Sequence, residues 1–105
     1  MHILTVLYGH PTDPAAFDSY YTEHHVPLVD EIDGVGSWSY RKVATLDGSE
    51  PPYYMIAELP FDSLEQLQAS MGSAEGQAAA GDVPNFATGG ATMTHYEVRE
   101  VPVSR

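Results

Sequence analysis

Four segments of the chain carry the apolar patterns that are typical of β-strands. Residues 2–8 and 53–59 have apolar side chains on both faces, which indicates strands buried in the middle of a sheet. Residues 35–45 alternate large apolar side chains with polar ones, and residues 92–101 are of mixed polarity, so both suit the edges of a sheet. The pattern therefore predicts four strands, of which the first and the third in chain order are central.

A helix is predicted between the first two strands. Asp13 supplies a side-chain cap and Pro14 suits the first helical position, so the helix should begin there. Pro27 lacks the amide hydrogen that a helix needs, and we expect the helix to kink or fray between residues 25 and 28. The acidic cluster within residues 30–33 would be unfavourable at a helix C-terminus, which favours an end before it.

A second helix is predicted between the third and fourth strands. Ser63, with Gln66 three residues later, forms a capping box that marks its start, and the apolar spacing predicts its end at residues 71–72. Residues 73–80 are expected to form a short helical turn. The Gly- and Pro-containing residues 81–90 are expected to be irregular.

The order strand, helix, strand, strand, helix, strand predicts an α+β fold of the ferredoxin-like βαββαβ type, with one four-stranded antiparallel sheet in a single domain of residues 1–105. Right-handed crossovers place both helices on one face of this sheet. The other face is left open, and a second copy of the chain in a two-fold homodimer is the simplest way to cover it. We expect the open face to include several of five large side chains: Tyr8, Trp38, Tyr40, Tyr54 and Ile56.

Composition and charge narrow the classes of partner. Fifteen acidic residues against four basic ones give a formal charge of −11, which would repel nucleic acid and anionic membrane surfaces, so neither is expected as a partner. The chain has no cysteine, which excludes disulfides, thiolate metal sites and a cysteine nucleophile. The apolar runs are shorter than the roughly 20 residues of a membrane helix, and the first residues lack a signal-peptide pattern, so a cytoplasmic location is expected.

The densest group of polar and aromatic side chains lies in residues 20–28. Tyr21 and His25 are four residues apart and share a helix face, so an imidazole that titrates near neutral pH can lie beside a phenol that orients it or a substrate oxygen. This pairing suits general acid–base catalysis. The alternative is a buried histidine that donates a hydrogen bond to a backbone carbonyl freed at Pro27.

Several segments of the chain resemble the EthD family of the dimeric α+β barrel superfamily. They are residues 17–21, 25–28, 61–64 and 73–76, together with Gly34, Asp82 and residues 85–86. The resemblance runs over nearly the whole chain and implies a ferredoxin-like homodimer. It leaves the reaction open, because the superfamily includes cofactor-free monooxygenases, cyclases, dehydratases, isomerases and haem-handling proteins.

The resemblance also implies which side chains form a site. By the motif, His25 and Tyr21 are the catalytic candidates, and Tyr20 and Phe86 are candidates for the substrate pocket. Trp38 is a further pocket candidate, although packing in the sheet or an interface is the alternative for it. We expect Asp82 and Asn85 to cap or turn the backbone in a loop that covers the pocket, and Glu75 to favour a helix dipole.

The leading hypothesis is a cofactor-independent enzyme that acts on a small hydrophobic metabolite, with His25 as the general acid or base and Tyr21 orienting it. No metal site is expected, because His24 and His25 point about 100° apart around a helix. A non-catalytic protein that binds a small molecule or assists a degradation or polyketide pathway is the first alternative. A haem-handling protein that holds haem through one histidine is the second.

Overall fold

Four strands form one antiparallel sheet in the computed structural model, which describes residues 1–104. They are β1 (His2–Tyr8), β2 (Ser39–Lys42), β3 (Met55–Phe61) and β4 (Ala91–Glu97), and they lie in the order β2-β3-β1-β4. The prediction that the first and third strands are central is confirmed. Both central strands contribute buried side chains to the core, whereas β2 and β4 are exposed along their whole length.

The edge strands are shorter than predicted because only part of each segment pairs with a neighbour. Strand β2 pairs with β3 from Ser39 to Lys42, and the amide of Gly36 makes a separate hydrogen bond of 2.8 Å to the carbonyl of Pro60. Strand β4 pairs with β1 as far as Glu97, opposite His2. Beyond these points only single backbone hydrogen bonds follow, from Val43 to Tyr54 and from Val98 to Met1. Residues 35–38, 43–45 and 98–101 are therefore not strand.

The first helical segment has three parts: helix α1 (Pro14–Tyr20), a π-helical turn (Tyr21–His25, here called the π-turn) and helix α2 (Val26–Asp30). Asp13 caps it as predicted, through a hydrogen bond of 3.1 Å from the amide of Ala16. The predicted end before the acidic cluster is wrong, since α2 continues to Asp30. The carboxylate of Asp30 accepts a hydrogen bond of 2.9 Å from the indole of Trp38.

The second helical segment also has more than one part. Helix α3 (Leu64–Gly72) begins at the predicted Ser63 cap, and helix α4 (Ala74–Asp82) follows after Ser73, whose hydroxyl caps it. A 3₁₀ turn (Val83–Asn85) then leads towards β4. No helix within residues 1–104 is long and apolar enough to cross a membrane.

All helices pack against one face of the sheet, and the core lies between the two layers. The central strands send alternate side chains into it: Leu4, Val6, Tyr8, Met55, Ala57, Leu59 and Phe61. The register of the sheet places the opposite row of these strands on the open face. That row contains Ile3, Thr5, Leu7, Ile56, Glu58 and Pro60.

The expectation for the open face is wrong in all but one of its residues, since only Ile56 lies there. Tyr8 is fully buried beneath the helices, and Tyr40, opposite Ala57, is on the same side of the sheet. The hydroxyl of Tyr54 donates to Asp18 of α1, and Trp38 donates to Asp30 of α2. Both rows of the central strands are apolar, so periodicity alone does not say which row packs under the helices.

Candidate active site

The π-turn carries both catalytic candidates into the core. Tyr21 is 1% exposed and His25 is 4% exposed, and their ring centroids lie 5.1 Å apart. The amide of Val26 bonds to the carbonyl of Tyr21, five residues earlier, which widens this turn just before Pro27. The predicted contact between the two side chains is therefore present on a wider turn than an α-helix makes.

The imidazole of His25 is paired with a carboxylate. Its Nδ1 lies 3.0 Å from Oδ2 of Asp82, the last residue of α4, and both side chains are almost completely buried. Oδ1 of Asp82 accepts two further hydrogen bonds, at 2.6 Å from the hydroxyl of Tyr20 and at 3.0 Å from Nδ2 of Asn85. A histidine bonded to a backbone carbonyl, the alternative drawn from the sequence, does not describe this arrangement.

Burial and hydrogen bonding together set the charge state of this pair. Burial lowers the pKa of His25 below its ordinary value of 6.5, and the hydrogen bond and charge of Asp82 only partly oppose this. Burial by itself would raise the pKa of Asp82, but the hydrogen bonds from Tyr20, Asn85 and His25 outweigh it and lower that pKa. At neutral pH the pair is therefore a neutral imidazole and a carboxylate, with Nδ1–H of His25 donating to Asp82 and the lone pair on Nε2.

A small apolar cavity lies beside His25, between the helices and the sheet. It holds about 30 Å³, room for about one water molecule. Its polar lining comes from His25, Tyr21 and Tyr8, and Met93 of the uncovered strand β4, which is 44% exposed, leads from it to the surface. Apolar side chains make up the remainder, among them Leu4, Val6, Val29, Leu59, Met71 and Val83.

The two phenols of this cavity are held protonated by their surroundings. Burial raises the pKa of Tyr8 far above its usual range. Burial also raises the pKa of Tyr21, and contacts with Tyr8 and Tyr40 add to the effect. Tyr21 is therefore a hydrogen-bond donor at every physiological pH.

The pocket candidates taken from the sequence lie in different places. Tyr20 and Phe86 line a second cavity of about 190 Å³ that opens on the other side of α1, together with Asn85. The ring of Phe86 also lies 4.7 Å from that of His25, so it separates the two cavities. The ring of Trp38 lies 5.9 Å from that of Tyr40 at a tilt of 36°, and Trp38 lines neither of these cavities.

Sequence reasoning missed the contact of Asp82 with His25, although it singled out both residues. The two are 57 positions apart, and the packing of α4 against the first helical segment brings them together. No local pattern at Asp82 signals this contact. His24 points away from the cavity and packs on Tyr20, with ring centroids 4.8 Å apart. Within residues 1–104, no group of three or more His, Cys, Asp or Glu side chains is placed to hold a metal ion.

Comparison with known proteins gives close matches over most of the chain. The EthD domain model matches residues 9–90. A protein of Rhodococcus erythropolis, described as an uncharacterized 11.0 kDa protein of the thcB-thcC intergenic region, is 47% identical over 93 residues, 89% of this chain and 90% of that protein. The crystal structure of an EthD family protein of Bacillus halodurans is 31% identical over 94% of this chain and 99% of its own, with a TM-score of 0.88.

Two further solved structures share the fold at low identity. A dimeric ferredoxin-like protein of unknown function from Jannaschia is 15% identical over 93% of this chain and 100% of its own, with a TM-score of 0.69. The cofactor-independent oxygenase SnoaB of Streptomyces nogalater is 10% identical over 95% of this chain and 93% of its own, with a TM-score of 0.65. At these identities the similarity concerns the fold alone.

Proposed function

Since this chain belongs to the EthD family, we propose that it is a homodimeric, cofactor-independent enzyme that performs acid–base chemistry on a small hydrophobic metabolite. The reaction would be of the isomerase, dehydratase, cyclase or monooxygenase type. The observation that carries the proposal is the pairing of His25 with Asp82 beside an apolar cavity.

The pairing leaves one nitrogen of His25 for a substrate. Because Nδ1–H is donated to Asp82, the lone pair of Nε2 is the group that can accept a proton. The low pKa of His25 keeps this base unprotonated at neutral pH. When Nε2 takes a proton, the charge of Asp82 stabilises the imidazolium that forms, which is the role of a carboxylate behind a catalytic histidine.

Tyr21 supplies the complementary group. Its phenol lines the same cavity and stays protonated, so it can donate a hydrogen bond to a carbonyl or phenol oxygen of a substrate. When His25 removes a proton from the substrate next to such an oxygen, negative charge develops on that oxygen, and the hydroxyl of Tyr21 is placed to stabilise it. This combination favours a substrate that carries a carbonyl or a phenol on an otherwise apolar skeleton.

The apolar lining of the cavity supports a second candidate function. About 30 Å³ is too small for a metabolite, so a substrate must displace side chains of the lining, which includes Met71 and Met93 with their unbranched, adaptable side chains. A protein that binds a small molecule without transforming it would share this apolar cavity. It would not need the base, so the behaviour of His25 distinguishes the two functions.

The homodimer is supported by the open face of the sheet. Ile3, Leu7 and Ile56 lie there without cover from any helix of their own chain, and Tyr96 is 44% exposed. A second sheet packed on this face would remove these side chains from water. The dimeric assembly stated for the Jannaschia neighbour is consistent with such an arrangement.

The test is turnover by matched variants. Small aromatic and alicyclic carbonyl and phenol compounds are screened with the wild type to find a substrate, and His25→Ala and His24→Ala are then compared on it. We expect His25→Ala to lower kcat/KM by roughly a hundredfold or more, because the base is lost. His24→Ala should keep nearly full activity, since His24 lies outside the cavity. Equal turnover by His25→Ala and the wild type would remove His25 from the mechanism.

A further inference from the structure

Asp82 is the common acceptor of three side-chain hydrogen bonds. His25 occupies one carboxylate oxygen, and Tyr20 and Asn85 share the other. We propose that Tyr20 and Asn85 are positioning residues that determine how much of the negative charge of Asp82 is available to His25. The inference rests on the proposed function, in which His25 is the base.

The geometry of the Tyr20 contact explains why it matters. A hydroxyl that donates to a carboxylate over 2.6 Å makes a short, charge-assisted hydrogen bond, stronger than one between neutral groups. Such a donor draws negative charge towards Oδ1 and weakens the attraction of the carboxylate for a proton on His25. Asn85 donates to the same oxygen over the longer distance of 3.0 Å, and an amide N–H is a weaker acid than a phenol O–H, so its influence is smaller.

The surroundings of His25 leave Asp82 as the charged group that it meets. From the π-turn it faces the neutral phenol of Tyr21, from the segment after the 3₁₀ turn the ring of Phe86, and from α4 the carboxylate of Asp82. Tyr8 of β1 lies behind Tyr21, with the two ring centroids 5.8 Å apart. A change in the basicity of Asp82 is therefore transmitted directly to His25.

Tyr20 is also suited to a substitution that changes one atom. Its ring packs on Phe86 at 5.5 Å and on His24 at 4.8 Å, contacts that phenylalanine preserves. The ring borders the cavity of about 190 Å³, so the loss of its hydroxyl opens no hole in the core. Tyr20→Phe thus removes the donor and leaves the packing.

The experiment measures the titration of His25 in uniformly ¹⁵N-labelled protein by long-range ¹H–¹⁵N correlation NMR, which also reports which ring nitrogen carries the proton. Tyr20→Phe should raise the pKa of His25 by about half a unit or more, because an undivided carboxylate charge stabilises the imidazolium better. Asn85→Ala should raise it less.

Asp82→Asn should lower the pKa of His25 or take it below the pH at which the protein unfolds in acid, since the charge is gone. Tyr54→Phe is the matched control, because its hydroxyl bonds to Asp18 instead, and it should leave the pKa of His25 unchanged.

Shifts of the pKa of His25 in opposite directions in Tyr20→Phe and Asp82→Asn distinguish this network from a merely structural role of the two residues. Loosened packing would let water reach His25 and move its pKa towards 6.5 in both Tyr20→Phe and Asp82→Asn. An unchanged or lowered pKa in Tyr20→Phe, or a raised one in Asp82→Asn, overturns the proposal. If Tyr20→Phe fails to fold, Asn85→Ala decides by the same sign. The titration needs no substrate, so the network can hold even if turnover proves independent of His25, and the two failures are distinguishable.

Discussion

His25 shows how burial and one carboxylate together set the charge state of a side chain. Burial by itself destabilises the protonated form of His25, and Asp82 offsets only part of this effect, so the pKa of His25 lies below 6.5. The unfolded chain therefore binds a proton at a higher pH than the folded chain does. As the pH falls through 6.5 towards the folded pKa, the protein loses stability, and around the folded pKa His25 itself becomes protonated.

At the residue scale, the sequence predicts the contact between Tyr21 and His25 but not the contact between His25 and Asp82. Tyr21 and His25 could be paired because residues four apart share a helix face, and the π-turn keeps them in contact at 5.1 Å. Their roles remain predictions. Asp82 could not be assigned to His25, because their contact depends on how α4 docks against the first helical segment rather than on any local spacing.

At the element scale, Pro27 distorts the helix upstream of itself rather than around itself. A proline ring crowds the carbonyl four residues earlier, which belongs to Glu23 inside the π-turn. The turn widens there, and the residues after Pro27 continue as helix to Asp30. The sequence revealed the disturbance but not its position, since a helix can absorb a proline by fraying after it or by widening before it.

Two glycines of α4 give a matched pair for testing the packing of this helix, which carries Asp82. A Cβ at Gly76 would overlap the carbonyl oxygen of Ser70 and Cα of Met71 in α3, whereas one at Gly81 would meet nothing within 4 Å. Gly76→Ala should therefore lower the free energy of unfolding by about 1–3 kcal/mol. Gly81→Ala should raise it by about 0.5–1 kcal/mol through helix propensity.

Urea denaturation of the two variants and the wild type at one protein concentration measures both effects. If Gly76→Ala proved as stable as Gly81→Ala, the close approach of α3 and α4 described here would be wrong.

At the scale of the whole molecule, strand order could be predicted, while the side of the sheet that stays open could not. Two strands that are apolar on both faces must be central, and the structure confirms this. Because both faces of these strands are apolar, the pattern does not indicate which row of side chains packs under the helices. The helix side of the sheet holds three tyrosine rings that contact Phe17 or Tyr21, those of Tyr8, Tyr40 and Tyr54.

The proposed dimer can be tested on this open face. Leu7 of β1 lies opposite Ile56 of β3, on the two central strands of this face, so Leu7→Glu would place a charge in the proposed interface. We expect this variant to sediment as a monomer while the wild type sediments as a dimer. Leu46→Glu is the control, because Leu46 is fully exposed in the turn between β2 and β3, and it should remain dimeric. A wild-type protein that sediments as a monomer at micromolar concentration would contradict the homodimer.

Whether His25 is a base supported by Asp82 can be measured from the pH dependence of kcat/KM between about pH 5 and pH 8, because this profile reports the pKa of the base in the free enzyme. If His25 is the base, the wild type shows an acid limb with a pKa below 6.5, and Asp82→Asn shows a limb displaced to lower pH with a reduced plateau. A wild-type acid limb with a pKa above 6.5, or one that Asp82→Asn leaves in place, would contradict a mechanism built on His25 and Asp82.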